Sequence, residues 1–163
     1  MPLAHRILID HLRNLHRAAS PTCVPEPPNA LSPGACRVLF EEGTEAPGSS
    51  PLNREKRAGT YVCAACNTPL FASTRKYDSG TGWPSFWQAL PGAVATKPDH
   101  RLAQARVEYH CAHCGGHQGH VFDDGPAPSG QRYCNNGLAL RFIPEGEALP
   151  PPRPVPPIPP EGA

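Results

Sequence analysis

Gly59-Thr60-Tyr61-Val62-Cys63-Ala64-Ala65-Cys66-Asn67-Thr68-Pro69-Leu70-Phe71 reads as strand, cysteine turn, strand. Tyr61-Val62 and Leu70-Phe71 are short runs of β-favouring residues, and Asn67 to Pro69 between them is a turn signal. A second pair, Cys111-Ala112-His113-Cys114, follows the apolar lead Val107 to His110 after a spacing of 44 residues. One CxxC turn sets two thiolates on one side of a metal, and two such turns complete a tetrahedral site. Four cysteine ligands leave no open position, so a metal there is structural. Two other readings remain open. A CxxC can be a redox pair, although neither pair here is followed by a clear helix, or the thiols can be buried and inert.

Working outward, the texture stays β. Tyr133 to Asn135 and Leu138 to Ile143 are further strand candidates, and Asp78-Gly80, Gly115-Gly116 and Asp124-Pro126 mark turns. The exception is Leu31 to Glu42, which reads as a helix with Ser32 as N-cap and Pro33 at its first position. Residues 43–58 read as loop. The expected fold is mainly β with few short helices, stapled by four cysteines.

The 163 residues suit one domain with tails. Of 23 prolines, eight lie in Pro150 to Pro160 and five in Pro21 to Pro33. The prolines therefore divide the chain into three: 1–30, a basic segment and Pro-rich linker; 31–148, the folded domain; 149–163, a Pro-rich tail expected to be solvated and disordered. Within residues 1–20, Ile7, Leu8, His11, Leu12 and Leu15 recur at helical spacing beside Arg6, Arg13 and Arg17. That segment is either an extended N-terminus or an organellar presequence.

A net charge of +1 with mixed signs offers no footprint for nucleic acid or anionic membrane. No apolar run approaches the roughly 18 residues of a membrane span, and Ile7 to Ile9 is too short for a secretory signal. Seven cysteines, an odd number, argue against a disulfide framework. A reducing compartment, the cytoplasm by default, is expected, with an organelle as the alternative.

Cys134 stands apart from the pairs. Arg132 precedes it by two positions, and His117-Gln118-Gly119-His120-Val121-Phe122-Asp123-Asp124 carries two histidines and two acids. A nucleophilic thiolate needs a lowered pKa and nearby donors, which histidine and arginine supply if the fold brings them close. The alternative is a buried strand cysteine with histidines serving loops. Ser79-Gly80-Thr81-Gly82-Trp83-Pro84-Ser85-Phe86-Trp87 presents aromatic residues from a glycine-rich turn, as either a core plug or a wall for an apolar ligand group.

Lys76-Tyr77-Asp78-Ser79-Gly80-Thr81-Gly82-Trp83-Pro84-Ser85-Phe86, His117 to Gly125 and Arg132-Tyr133-Cys134, taken in order with the two CxxC pairs, resemble the methionine-R-sulfoxide reductases of the B type. The likeness covers about Leu31 to Pro144. It implies a compact β-tent or barrel-like domain of two antiparallel sheets, one structural Zn2+ on Cys63, Cys66, Cys111 and Cys114, and no organic cofactor. It also implies an oxidoreductase of protein repair under oxidative stress, reducing the R epimer of methionine sulfoxide, free or in proteins. By the same likeness Cys134 is the nucleophile, His120 and His117 are active-site histidines, and Asp124 and Asn136 support them. Trp83 packs the substrate methyl group, with Arg132 and Phe122 beside it. A monomer recycled by thioredoxin or another thiol is expected.

This chain departs from the family pattern at three places. Thr81 stands where many members carry a resolving cysteine, so an external thiol, or Cys36 or Cys23, must clear the oxidised Cys134. Gln118 replaces the usual leucine, and Gly137 resembles one subgroup. Two rival classes remain: a zinc-ribbon binding module, and a thiol oxidoreductase in which a CxxC pair is essential.

Overall fold

The computed structural model describes residues 31–153. The basic segment, most of the Pro-rich linker and the end of the tail lie outside them. Helix α1 is Pro33–Glu41; Ser32 Oγ accepts from the Ala35 N–H at 3.1 Å, and Glu42, at φ 55°, ends it. This is the helix expected from the Ser32-Pro33 signal. Its buried residues Ala35, Val38 and Leu39 form one face.

Two antiparallel sheets carry the rest. The smaller has β1 (Gly59–Cys63) between β2 (Pro69–Ala72) and β9 (Leu140–Pro144). The larger contains β3 (Lys76–Tyr77), β4 (Ser85–Phe86), β5 (Val94–Asp99), β6 (Arg106–Cys111), β7 (His117–Phe122) and β8 (Arg132–Asn135), in the order β3-β4-β8-β7-β6-β5. Among the described residues the only other helical pieces are three 3-10 turns, Pro51–Arg54, Ser73–Arg75 and Gly137–Ala139. The mainly β expectation holds, with two antiparallel sheets and one α-helix.

The core lies between the sheets. Phe71 of β2 stacks on Phe86 of β4 with ring centroids 4.1 Å apart, and Tyr61 of β1 meets Phe86 edge-on at 5.0 Å. Tyr61, Phe71, Phe86 and Tyr109 are wholly shielded from water, each such ring contributing about 1.5–3 kcal/mol by burial. The small sheet cannot separate from the large one without exposing these rings.

Four strands escaped the sequence reading, of which β3 and β4 are two residues each and too short to show an alternation. β5 is a sheet edge, so it tolerates Lys97 and Pro98 where a central strand would not. β7 is central, but its His117-Gln118-Gly119-His120 has no apolar alternation; these residues are buried and polar. As far as Arg153 the tail is tied to the first cysteine turn, with Pro151 and Pro152 exposed. The Arg153 N–H donates to Cys66 O at 2.8 Å, and Asn67 Nδ2 donates to Pro151 O at 3.3 Å.

Candidate active site and metal centre

Ladder register assembles the site. Cys134 of β8 lies directly opposite Ser85 of β4 on one side and His120 of β7 on the other. His120 in turn faces Glu108 of β6, which faces Lys97 of β5. Directly opposed residues share a sheet face with Cβ atoms about 4.5–5.5 Å apart. A single row across five strands therefore carries thiol, imidazole and carboxylate. Gly119 lets β7 and β8 close this tightly, since a Cβ there would lie 1.9 Å from Cys134 O.

A cleft of about 310 Å³ opens over this row, lined by Cys134, His120, Trp83, Phe122, Arg132 and Asn136. Thr44, Thr81, Arg106 and Gly119 complete its walls. Trp83 Nε1–H donates to Glu45 O at 3.0 Å, and the Glu45 N–H donates to Asn136 Oδ1 at 2.9 Å. Asn136 Nδ2 donates to Gln118 O at 2.9 Å. One buried residue, Glu45, thus fixes the aromatic wall and the asparagine together, and its own carboxylate accepts from the Leu138 N–H at 2.8 Å.

Two expected site residues lie off the cleft wall. Asp124 is exposed and pairs with Arg132 through two bonds of 2.8 and 3.0 Å, holding the guanidinium over the Phe122 ring at 4.2 Å. His117 is buried behind His120, ring centroids 5.6 Å apart. Its Nδ1 comes within 2.9 Å of Glu108 Oε1. Neither ring nitrogen has a hydrogen-bond partner among the described residues.

Sequence reasoning missed Asp99, Arg106, Glu108 and Glu45. His120 Nε2 lies 2.8 Å from Asp99 Oδ2. Asp99 also accepts from Arg101 at 3.0 and 3.1 Å and from Arg106 Nη2 at 3.2 Å. Glu108 left the one local signal, an acid between Val107 and Tyr109 in a strand. Asp99, Arg106 and Glu45 reach the site only through tertiary contact.

Electrostatics set the resting protonation. Hydrogen bonds from Arg101, and then from His120, hold Asp99 far below the ordinary carboxylate range. Burial pushes His120 down, with Asp99 working in the opposite sense. The imidazole is therefore neutral at pH 7. With Asp99 ionised, the hydrogen sits on Nε2 and Nδ1 keeps its lone pair. Burial raises Cys134, while the Arg132 charge and hydrogen bonds from Thr81 and Arg132 bring it only part of the way back. This corrects the expectation of a depressed thiol: at rest Cys134 is protonated, because loss of water outweighs one guanidinium. Cys36, on α1, is disulfide-bonded.

The four paired cysteines meet as expected. Each pair sits in the same turn: the Asn67 N–H bonds back to Cys63 O at 2.9 Å, and the Gly115 N–H to Cys111 O at 2.8 Å. Asn67 and Gly115 both hold positive φ, 66° and 77°, to close those turns. The Sγ atoms of Cys63 and Cys114 are 3.7 Å apart and those of Cys66 and Cys111 3.6 Å, with all four within 4.8 Å of one another and buried. These spacings are too long for disulfides. They match the edge of about 3.8 Å for a tetrahedron with metal–sulfur bonds of about 2.3 Å. The Gly116 N–H donates to Cys114 Sγ at 3.3 Å, the kind of donor a buried thiolate needs. The donor set and spacing fit a closed metal site. Cys63 ends β1 and Cys111 ends β6, so an ion there ties one sheet to the other.

Comparison with known proteins places this arrangement. The SelR domain matches residues 31–144. The chain is 48% identical over 115 residues to the peptide methionine sulfoxide reductase MsrB of Agrobacterium fabrum, covering 70% of this chain and 85% of that one. It is 50% identical over 119 residues to the MsrB of Leifsonia xyli, covering 72% and 86%. A longer relative, the chloroplastic peptide methionine sulfoxide reductase B2 of Arabidopsis thaliana, is 47% identical over 121 residues, and the match spans 59% of its length. With the matched region running from the cap of α1 to the end of β9, the chain belongs to the SelR domain family.

Proposed function

We infer that this chain is a peptide-methionine (R)-S-oxide reductase with Cys134 as nucleophile. The observation that carries the reading is the directly opposed pair Cys134 and His120 on the floor of a cleft walled by Trp83 and Phe122. The reductase domain is residues 31–148.

The substrate methyl group rests on the Trp83 face, which turns the sulfoxide oxygen toward His120 and Arg106. Cys134 gives its proton to the Nδ1 lone pair of His120, which Asp99 steadies as imidazolium. The thiolate attacks the sulfoxide sulfur while His120 returns the proton to the leaving oxygen. The attack forms a bond between Cys134 Sγ and the substrate sulfur. That bond breaks as the hydroxyl passes from the substrate sulfur to Sγ, so the S–O bond of the substrate is lost, methionine is released and Cys134 is left as sulfenic acid. Methionine is reduced by two electrons and Cys134 is oxidised by two, with no net proton consumed. Positioned proton transfer of this kind contributes about 10²–10⁴ in rate. A dithiol such as thioredoxin then returns Cys134 to the thiol, releasing water and leaving its own disulfide.

Zinc is the ion proposed for Cys63, Cys66, Cys111 and Cys114, where it supplies cross-linking and, with four protein ligands, no chemistry on substrate. A monomer is proposed, in the cytoplasm or an organelle. No helix among the described residues is long and apolar enough to cross a membrane.

The test is turnover of separated R and S epimers of a dabsylated methionine sulfoxide with dithiothreitol, beside Cys134→Ser. Reduction of the R epimer alone, abolished in the variant, is expected. Folded, metal-loaded protein that reduces neither epimer would overturn the reading in favour of a binding module.

A further inference from the structure

Gln118 lies wholly buried on β7 between the metal centre and the strand that carries Cys134. The orientation of its amide follows from its neighbours. Asn135 Nδ2 donates to Asn136 O at 2.9 Å; a carbonyl oxygen only accepts, so that end of Asn135 is the amino group. The other end agrees, since Tyr109 Oη donates to Asn135 Oδ1 at 2.7 Å. The second hydrogen of Asn135 Nδ2 goes to Gln118 Oε1 at 3.2 Å. That turns Gln118 Nε2 toward the metal centre, where it donates to Cys63 Sγ at 3.4 Å. The main chain of Gln118 adds a second tie, its carbonyl accepting from both the N–H and Nδ2 of Asn136 at 2.8 and 2.9 Å.

We propose that Gln118 is a positioning residue that couples the four-cysteine metal centre to the Cys134 strand. A divalent ion on four thiolates leaves excess negative charge on sulfur, and Cys63 is sealed from water. An N–H donor is the available way to offset that charge, and loss of such a donor is not made good by solvent. The same amide holds Asn135, whose backbone N–H donates to Pro84 O, next to Trp83 of the cleft wall. A metal thiolate, Gln118 and Asn135 thus form one directional series of hydrogen bonds ending beside Cys134. The coupling rests on the proposed metal centre but not on the sulfoxide reaction.

The test compares the full chain with Gln118→Leu, which keeps side-chain bulk and leaves Asn135 Nδ2 its bond to Asn136 O. Both are loaded with cobalt. The thiolate-to-cobalt charge-transfer band is expected to move, and release of cobalt to a chelator to quicken about 10-fold, the lower end of effects seen when a ligand's hydrogen-bond partner is removed. Backbone amide exchange at Asn135 and Asn136 is expected to quicken while Thr96 on β5 keeps its rate, a pattern that general destabilisation would not produce. An unmoved band with unchanged release and exchange overturns the proposal. Should the variant not fold, the unmutated chain with NMR-active cadmium decides: scalar coupling between the Gln118 Nε2 proton and the metal is expected, and its absence overturns the proposal. A chain that takes up neither ion overturns both this coupling and the metal centre, leaving the epimer assay to judge the reductase reading separately.

Discussion

His120 lies directly opposite Cys134 on the β7–β8 ladder, and its far nitrogen is anchored to Asp99 at 2.8 Å. The anchor holds the ring hydrogen on Nε2 and leaves the Nδ1 lone pair for the base role proposed above. Removing the ring by His120→Asn should lower kcat by about 10²–10⁴, with a smaller loss for Asp99→Asn, in an assay of R-epimer reduction. A pH profile adds the sign. The proposed mechanism uses His120 as a neutral base, so activity should fall as pH drops through its pKa, which burial places below the ordinary histidine value. Asp99 raises that pKa, so Asp99→Asn should carry the acid limb to lower pH. An acid limb unmoved by Asp99→Asn would argue that another group titrates there.

Cys134 rests as a thiol because burial outweighs Arg132. The rate of its alkylation by iodoacetamide should therefore keep rising through the range where a free cysteine, at about 8.5, has levelled. Arg132→Met removes the charge that draws the thiol down, so the midpoint should climb further. The opposite sign is expected for Glu45→Gln, because Glu45 contributes to raising the Cys134 pKa. Mass spectrometry of the alkylated peptide against pH reads both.

Thr81 and Cys134 line one cleft, and the Thr81 hydroxyl is among the groups that lower the Cys134 pKa. Thr81→Cys should accordingly place a resolving thiol within reach. After one turnover the unmutated chain should label with a sulfenic-acid probe such as dimedone. In the variant that labelling should largely vanish, replaced by an internal disulfide. Persistent dimedone labelling of Thr81→Cys would mean the loop holds the two side chains apart.

The metal centre joins β1 of one sheet to β6 of the other through Cys63 and Cys111. Structural zinc supplies about 10–16 kcal/mol in small domains, as much as or more than the usual net stability of about 5–15 kcal/mol. Chelation, or Cys63→Ser, should thus unfold the domain rather than loosen one corner. Near-UV circular dichroism is the measurement; a native-like signal from metal-free protein would show that the aromatic core holds the sheets alone.

Much of the fold was legible because its signals are local. Ser32-Pro33 writes a helix start into adjacent residues, and each CxxC turn is a few residues long. Tyr61-Val62 and Leu70-Phe71 announce strands by residue type. β5 and β7 were not legible: an edge strand needs no apolar face, and β7 buries polar residues whose partners come from β1, β5, β6 and β8. Within the site, Cys134, His120, Trp83, Phe122, Arg132 and Asn136 were named from motif and all line the cleft. Asp124 and His117 were named too, but the structure sets one outside, on Arg132, and the other behind, on His120.

The amino-acid sequence by itself determined the residue types, their spacing within turns, the four-sulfur donor set and the family. Only the tertiary structure decided which acids serve His120, that Cys134 rests protonated, and that Gln118 turns its amide toward Cys63. The reason is physical. A turn or cap is settled by neighbours a few residues away, whereas a side chain's charge state depends on burial and on partners brought by strand register. That register aligns residues as distant as Ser85 and Cys134, and nothing local to either records the pairing.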